Sequence, residues 1–238
     1  HRFGGAGDKL YETLRESQSE QVMHVKEYTD YLSEKLIYDK KNNADGVKLS
    51  DYIGDKQKMI RVQLSGGRNI SMTAAQAMSI VTLYEREAGR SHIEHGGVRL
   101  IHPESRKVSA PIAMMEEDIR SIRGKLDKND LRVMNVMNAF IRDKCTAWGN
   151  EATMEKYGFK RFTTADYFPI FVDKNSLPAN MSADQARNSV QFNVENVGFA
   201  KSAKDNASAP LLVDSFIDVI NRHVEGMATY AAYLNSED

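Results

Sequence analysis

Between Leu131 and Trp148 the apolar residues Leu131, Met134, Met137, Ile141, Cys145 and Trp148 recur at spacings of three, three, four, four and three. Only an α-helix returns all of these positions to one side, so the stretch predicts a core helix, with Asp127 as its N-cap. A second stripe, from Phe216 through Val219, Ile220, His223, Val224, Met227, Tyr230 and Ala231 to Leu234, predicts a last helix after Asp214. A third is short and dense: Ala77, Met78, Ile80, Val81 and Tyr84. It is opened by Thr73 and Gln76, the hydroxyl and amide of a capping box. Three such helices supply a core, and the fold class is mainly α: a multi-helix domain with one small β-hairpin and an irregular aromatic loop.

The remaining segments are arranged around these three. HRFGGAG reads as a glycine-rich lead-in, after which Asp8 caps a long helix to about Lys40. Its stripe is patchy: Leu10 and Leu14, then the polar run RESQSEQ, then Val22, Val25, Thr29, Leu32 and Leu36. A long helix with an interrupted stripe is either an outer helix of one domain or an arm that packs on a partner or another copy. KKNNADG is a loop by composition. LSDYIGDKQKMIRVQL reads as a helix capped by Ser50 and weakened by Gly54, closed by SGGRN. The organisation expected is an N-terminal helical arm or subdomain over 1–69 and a helical core domain over 70–238.

Gly89 is expected to end the helix that starts at Thr73. Beyond it, VRLIHPESRKVSAPIAM suggests a hairpin around PESR, and MMEEDIRSIRGKL a short charged helix. YGFKRFTTADYFPIFVDKNSLP forms the aromatic loop, MSADQARNSVQ a brief helix and VGFAKSAKDNASAPLL a small-residue loop.

Charge and cysteine usage narrow the function. Lys plus Arg (32) nearly balances Asp plus Glu (33), for a net charge of −1, which excludes a globally basic nucleic-acid coat and leaves local basic patches open. The single cysteine, Cys145, excludes an internal disulfide and a cysteine-based zinc site, and its place on an apolar stripe marks an inert thiol. No apolar run approaches the ~18 to 20 residues that span a bilayer. The first residues carry neither an initiator Met nor a signal-peptide core, so the chain reads as a piece of something longer, and no cofactor is expected.

One cluster carries candidate chemistry. Arg86, Arg90, His92, His95, Gly96, Gly97 and Arg99 crowd around a glycine pair, where backbone amides could converge on a phosphate and arginines add forked donors. They are candidates for anion or nucleic-acid binding, although neither phosphate-loop glycine pattern is present. His92 and His95, three apart, could share a metal with His102 or Glu94. The zincin pattern, however, needs a Glu beside the first His and four residues between ligands, so a polar helix end is the stronger reading. Glu116, Glu117 and Asp118 read as a solvated helix start, and His223 as a core histidine with Tyr167 or a loop carboxylate for partner. The KYGFKRF cluster anchors a loop more readily than it stacks on bases. No Ser sits in a G-x-S-x-G elbow.

Four islands also carry a family likeness. MTAAQAMSIVTLYEREAGRSHIEHGG resembles a segment of very large phage and prophage proteins, in which an LT-x-x-Q helix precedes an Arg-rich turn, His and Gly-Gly. KLDKNDLRVMNVMNAF, GNEATMEKYGFKRFTTADYFPI and VGFAKSAKDNASAPLLVDSFIDVINRHVEGMATYAAY follow in a similar order, so the likeness covers about Ile70 to Leu234. It departs near Lys201, where KSAKDN stands in place of an RTG-like pattern, and no enzymatic domain is attached. The resemblance implies a non-catalytic structural or interaction module of a polyvalent or virion-internal protein delivered with DNA. Its partners would be other protein segments or copies of the parent, with nucleic acid as the alternative. Its location would be the virion or the bacterial host cytoplasm. It implies no catalytic residue.

Overall fold

The computed structural model describes residues 4–37, 46–54, 56–163, 168–170 and 209–234. It is mainly α, as the stripes predict. The long first helix, α1 (Gly4–Leu32), runs without interruption through the polar RESQSEQ segment and closes in a π turn at Ser33–Ile37. Asp8 therefore lies inside the helix and is not its cap. The glycines of the expected lead-in form its first turn.

The helix expected after Ser50 is absent. Leu49–Asp51 form a single 3₁₀ turn, and β1 (Met59–Gln63) pairs antiparallel with β2 (Asn69–Thr73), Met59 opposite Thr73 and Gln63 opposite Asn69. In β1 the residues alternate between solvent and core, burying Ile60 and Val62, which is the period-2 pattern of a half-buried strand. The turn passes through Gly67 at φ +76°. β2 begins at Asn69, and one buried cluster runs from Tyr28, Leu36, Tyr52 and Ile60 to Phe140, Phe216 and Ala231. The hydrophobic core thus continues across the position between 69 and 70.

Thr73 ends the hairpin and caps α2 (Ala74–Tyr84) through the expected box. The Gln76 backbone N–H donates to Thr73 Oγ1 at 3.1 Å, and Thr73 N–H donates to Gln76 Oε1 at 3.1 Å. Every residue of α2 is buried, so it is the central rod of the molecule. It stops at Tyr84 rather than Gly89. Arg86 is extended, and α3 (Glu87–His95) starts in a new direction with Gly89 within it. A Cβ on Gly89 would lie 2.2 Å from Leu83 O, so the absence of a side chain allows the two helices to cross this closely.

After α3 the chain enters β3 (Val98–Leu100), which lies parallel to β4 (Leu211–Val213) and bridges antiparallel to Ile112, while Ile101 bridges to Val108. The hairpin expected around PESR is therefore reduced to two bridges. The expected VGFAKSAKDNASAPLL loop ends in a strand over its last residues, because Leu211 and Val213 find β3 and are buried. α4 (Glu116–Arg123), α5 (Lys128–Phe140) and α6 (Thr146–Tyr157) follow, the last two joined by a π turn at Ile141–Cys145. Asp127 caps α5 as expected, accepting from the amides of Asn129 and Asp130. α7 (Phe216–Tyr233) completes the core, burying Phe216, Val219, Ile220, His223, Val224, Met227, Tyr230 and Ala231. MSADQARNSVQ, Tyr167 and most of the aromatic loop lie outside the described residues.

The C-terminal half of α1 packs antiparallel on α7. Gln21 Nε2 donates to Thr229 Oγ1 and Tyr28 Oη to Asn221 Oδ1, both at 2.8 Å. Beside them the Phe140 ring meets Tyr28, Tyr31 and Trp148 with centroids 4.9 to 5.4 Å apart, and Trp148 Nε1 donates to Glu27 at 3.1 Å.

Candidate functional site

The seven residues singled out by sequence are spread along α3: Arg86 and Arg90 at its start, against the end of α2, and His92, His95, Gly96, Gly97 and Arg99 toward its end and the entry to β3. His92 lies on the inner side of α3, buried, and its Nδ1–H donates to Ala209 O at 2.8 Å. Its Nε2 is buried with no hydrogen-bond partner, and burial holds the ring below its ordinary pKa despite the bond to Ala209. His95, one turn on, is exposed and bonds through Nδ1 to Ser91 O at 2.8 Å. The two imidazoles therefore share a helix without sharing a ligand position. Among the described residues no group of three or more His, Cys, Asp or Glu could hold a metal ion.

The glycine pair is a junction. The amides of Gly96 and Gly97 both donate to His92 O, at 2.7 and 2.8 Å, so the converging donors that a phosphate would need are turned onto the helix end. Gly97 adopts φ +80°, and a Cβ there would stand 2.7 Å from the Ile112 carbonyl carbon. A Cβ on Gly96 would stand 2.4 Å from Ala209 O. Both glycines are thus required for three strands and a helix end to meet, and Leu211 N–H completes the joint by donating to Gly97 O at 2.9 Å.

Two of the arginines serve the α2–α3 junction and one serves β3. Arg86 donates to Thr82 O and lies 5.5 Å over the Phe168 ring. Arg90 Nε donates to Tyr84 O at 3.3 Å, and its guanidinium sits 5.2 Å over the Tyr84 ring. Arg99 Nε donates to Ser109 O at 2.8 Å. Tyr84 in turn donates to Glu94 Oε1 at 2.6 Å, and desolvation together with that carboxylate pushes its phenol up to about 12.

Two polar networks escaped the sequence reading. Tyr52 Oη donates to the fully buried Asp130 at 2.8 Å, while Lys58 Nζ reaches Asp127 and Asp130 at 2.6 Å each. The Lys58 ammonium holds Asp127 below the usual carboxylate range, outweighing its desolvation. The capping box Asp127-x-x-Asp130 was the available signal, since an acid at the third helical position folds back on the cap. The second network pairs Arg106, at φ 54°, with Asp214 at 2.9 and 3.2 Å. Arg222 joins Asp214 at 3.3 Å. Burial pushes the Asp214 carboxyl upward, but these cations and the Ser215 amide bring it below the usual range. Both networks tie elements together. Cys145 is buried and its thiol is pushed up by desolvation.

No family model, curated protein or solved structure matches this chain. Its surface is therefore the remaining guide. On α1 the large apolar residues Tyr11, Leu14, Val22 and Met23 are 69%, 44%, 61% and 69% exposed. Val22 and Val25 form one wall of an open groove whose other wall is α7, at Arg222, Glu225 and Thr229. Among the described residues no helix is long and apolar enough to cross a membrane.

Proposed function

We propose that this chain is a non-catalytic interaction module that joins protein segments or copies of a larger, phage-related protein packaged and delivered with DNA. The phage setting comes from the resemblance of the four islands between Ile70 and Leu234. The observation that supports the interaction reading is the contrast between two surfaces. At the Arg–His–Gly corner, the glycine amides and the donors named above are engaged within the fold. Along α1, four large apolar side chains stand in water, where association releases the water ordered around them.

Fluorescence anisotropy with labelled single- and double-stranded DNA at low and moderate salt tests the reading. The expected result is no submicromolar binding at either salt concentration. Submicromolar binding that weakens steeply with salt, and that disappears in a folded variant carrying Arg90→Ala and His95→Ala, would replace it with phosphate recognition at the corner.

A further inference from the structure

The KYGFKRF segment at the end of α6 divides into an anchor and an overhang. Phe162 is the anchor. Asn150 Nδ2 donates to its carbonyl at 2.9 Å, and its own N–H donates to Asn150 Oδ1 at 2.8 Å. Its ring meets Tyr230 edge-on at 5.5 Å and lies where a Cβ on Gly149 would stand, 2.6 Å away. Tyr157 and Phe159 take no part in this anchoring and are 44% and 56% exposed. Gly158, at φ +75°, ends α6 between them. The two rings stand 6.1 Å apart with their planes 34° from parallel. Met154, three residues before Tyr157 and so on the same side of α6, is exposed as well.

Cations border these rings. The Arg161 guanidinium lies 5.8 Å over the Tyr157 ring and also bonds the Tyr230 hydroxyl, so it is held in place from two sides. Lys160, next to Phe159, is exposed. The acids of α6 are turned elsewhere: at 3.6 residues per turn, Glu155 and Glu151 lie about 160° and 120° around the helix from Tyr157. Loop anchoring thus accounts for Phe162 and leaves two rings in water beside two positive charges.

We propose that Tyr157 and Phe159 form a stacking platform for unpaired bases of single-stranded nucleic acid, whose phosphates are drawn to Lys160 and Arg161. Bases stack on aromatic faces whatever their sequence, and adjacent cations neutralise the backbone that links them. Bases inside a duplex are already stacked on their neighbours and offer no free face, so the platform selects single strands. A proline-rich peptide also docks on aromatic rings, but it has no need of the bordering cations. With two rings and two cations the platform is small, and dissociation is about 10 to 100 μM at low salt. This goes beyond the interaction reading, which needs no nucleic acid, and lies below the submicromolar range that tests it.

Fluorescence anisotropy of a labelled ten-nucleotide oligothymidylate, at low salt and with chain up to several hundred micromolar, should give dissociation in that range. A duplex of equal length should bind at least about tenfold more weakly. Phe159→Ala, at an exposed position, should keep the helical circular dichroism and weaken the single strand about tenfold. Phe159→Trp should restore binding, and its indole should be quenched as bases stack; Trp148, the native indole, is buried. Lys160→Gln should lower the logarithmic salt slope by about 0.7, one phosphate contact fewer. Arg90→Ala with His95→Ala should leave this weak binding unchanged. No binding of the strand overturns the platform, as does equal affinity for the duplex, undiminished binding by Phe159→Ala, or quenching of Phe159→Trp by a proline-rich peptide alone. Each of these failures leaves the interaction module standing. Submicromolar binding lost with Arg90 and His95 removes the module reading instead, and the Phe159 variants still decide the platform.

Discussion

His223 shows how much one buried side chain can govern the pH response of such a core. It sits on the inner face of α7 and is almost wholly withdrawn from water, which lowers its pKa from 6.5 to about 4. In the unfolded chain the ring takes its proton near 6.5. Between the two values the unfolded state therefore holds more protons, and stability falls as pH drops through this window, being fully present above it. From pH 7 to pH 5 the loss from this residue is about 2 kcal/mol. His92 is displaced in the same direction by its burial and adds to the slope. Urea melts at pH 7 and pH 5 should show this fall in the native chain, and His223→Leu should remove most of it. An unchanged pH slope in that variant would mean that the acid sensitivity lies elsewhere. The residue's position was legible from the stripe, since a histidine between Ile220 and Val224 at helical spacing has to face inward. The buried Nε2 of His92 was not, because the carbonyl that fixes its ring belongs to Ala209, distant along the chain.

Elements whose determinants are local were readable, and those whose partners are distant were not. Thr73 with Gln76, Asp127 with its two amides, and the stripes of α5 and α7 each carry their cause within a turn or two of sequence. β4 carries none: Leu211, Leu212 and Val213 become a strand only because β3 offers a parallel edge. The β1–β2 hairpin was masked by Ser50, whose resemblance to a cap outweighed the alternation of Met59–Gln63. Gly89 was misplaced for a related reason: an αL stop and a close helix crossing both call for glycine, and sequence does not distinguish them. The difference between kinds of glycine gives a prediction at this scale. Gly67 and Gly97 have nearly the same positive φ, but a Cβ at Gly67 meets nothing within 4 Å, whereas at Gly97 it meets the backbone of Ile112 and Ala113. Gly67→Ala should cost about 1 kcal/mol, the left-handed penalty alone. Gly97→Ala should cost that plus the displacement of a strand, about 3 kcal/mol or more in urea denaturation. Equal losses would show that the junction can open without consequence.

At the level of the whole molecule, α1 is two things joined at Ser17. Beyond that point the helix joins the core: Tyr28 is buried, as is Leu36 in the π turn that follows, and Glu27 accepts from Trp148. Before it, Lys9, Tyr11, Glu12, Leu14, Arg15 and Glu16 are exposed, and no core residue of the described structure comes from this part. An exposed half-helix of this length is not maintained by its own propensity, since isolated helices shorter than about 12 residues are marginal in water. Its helicity is borrowed from the anchored half, by propagation across Ser17. Deleting residues 1–16 should therefore change the unfolding free energy of the chain by less than about 1 kcal/mol, because none of the side chains described there belongs to the core. A loss of several kcal/mol at micromolar concentration would place the first half of α1 in the core.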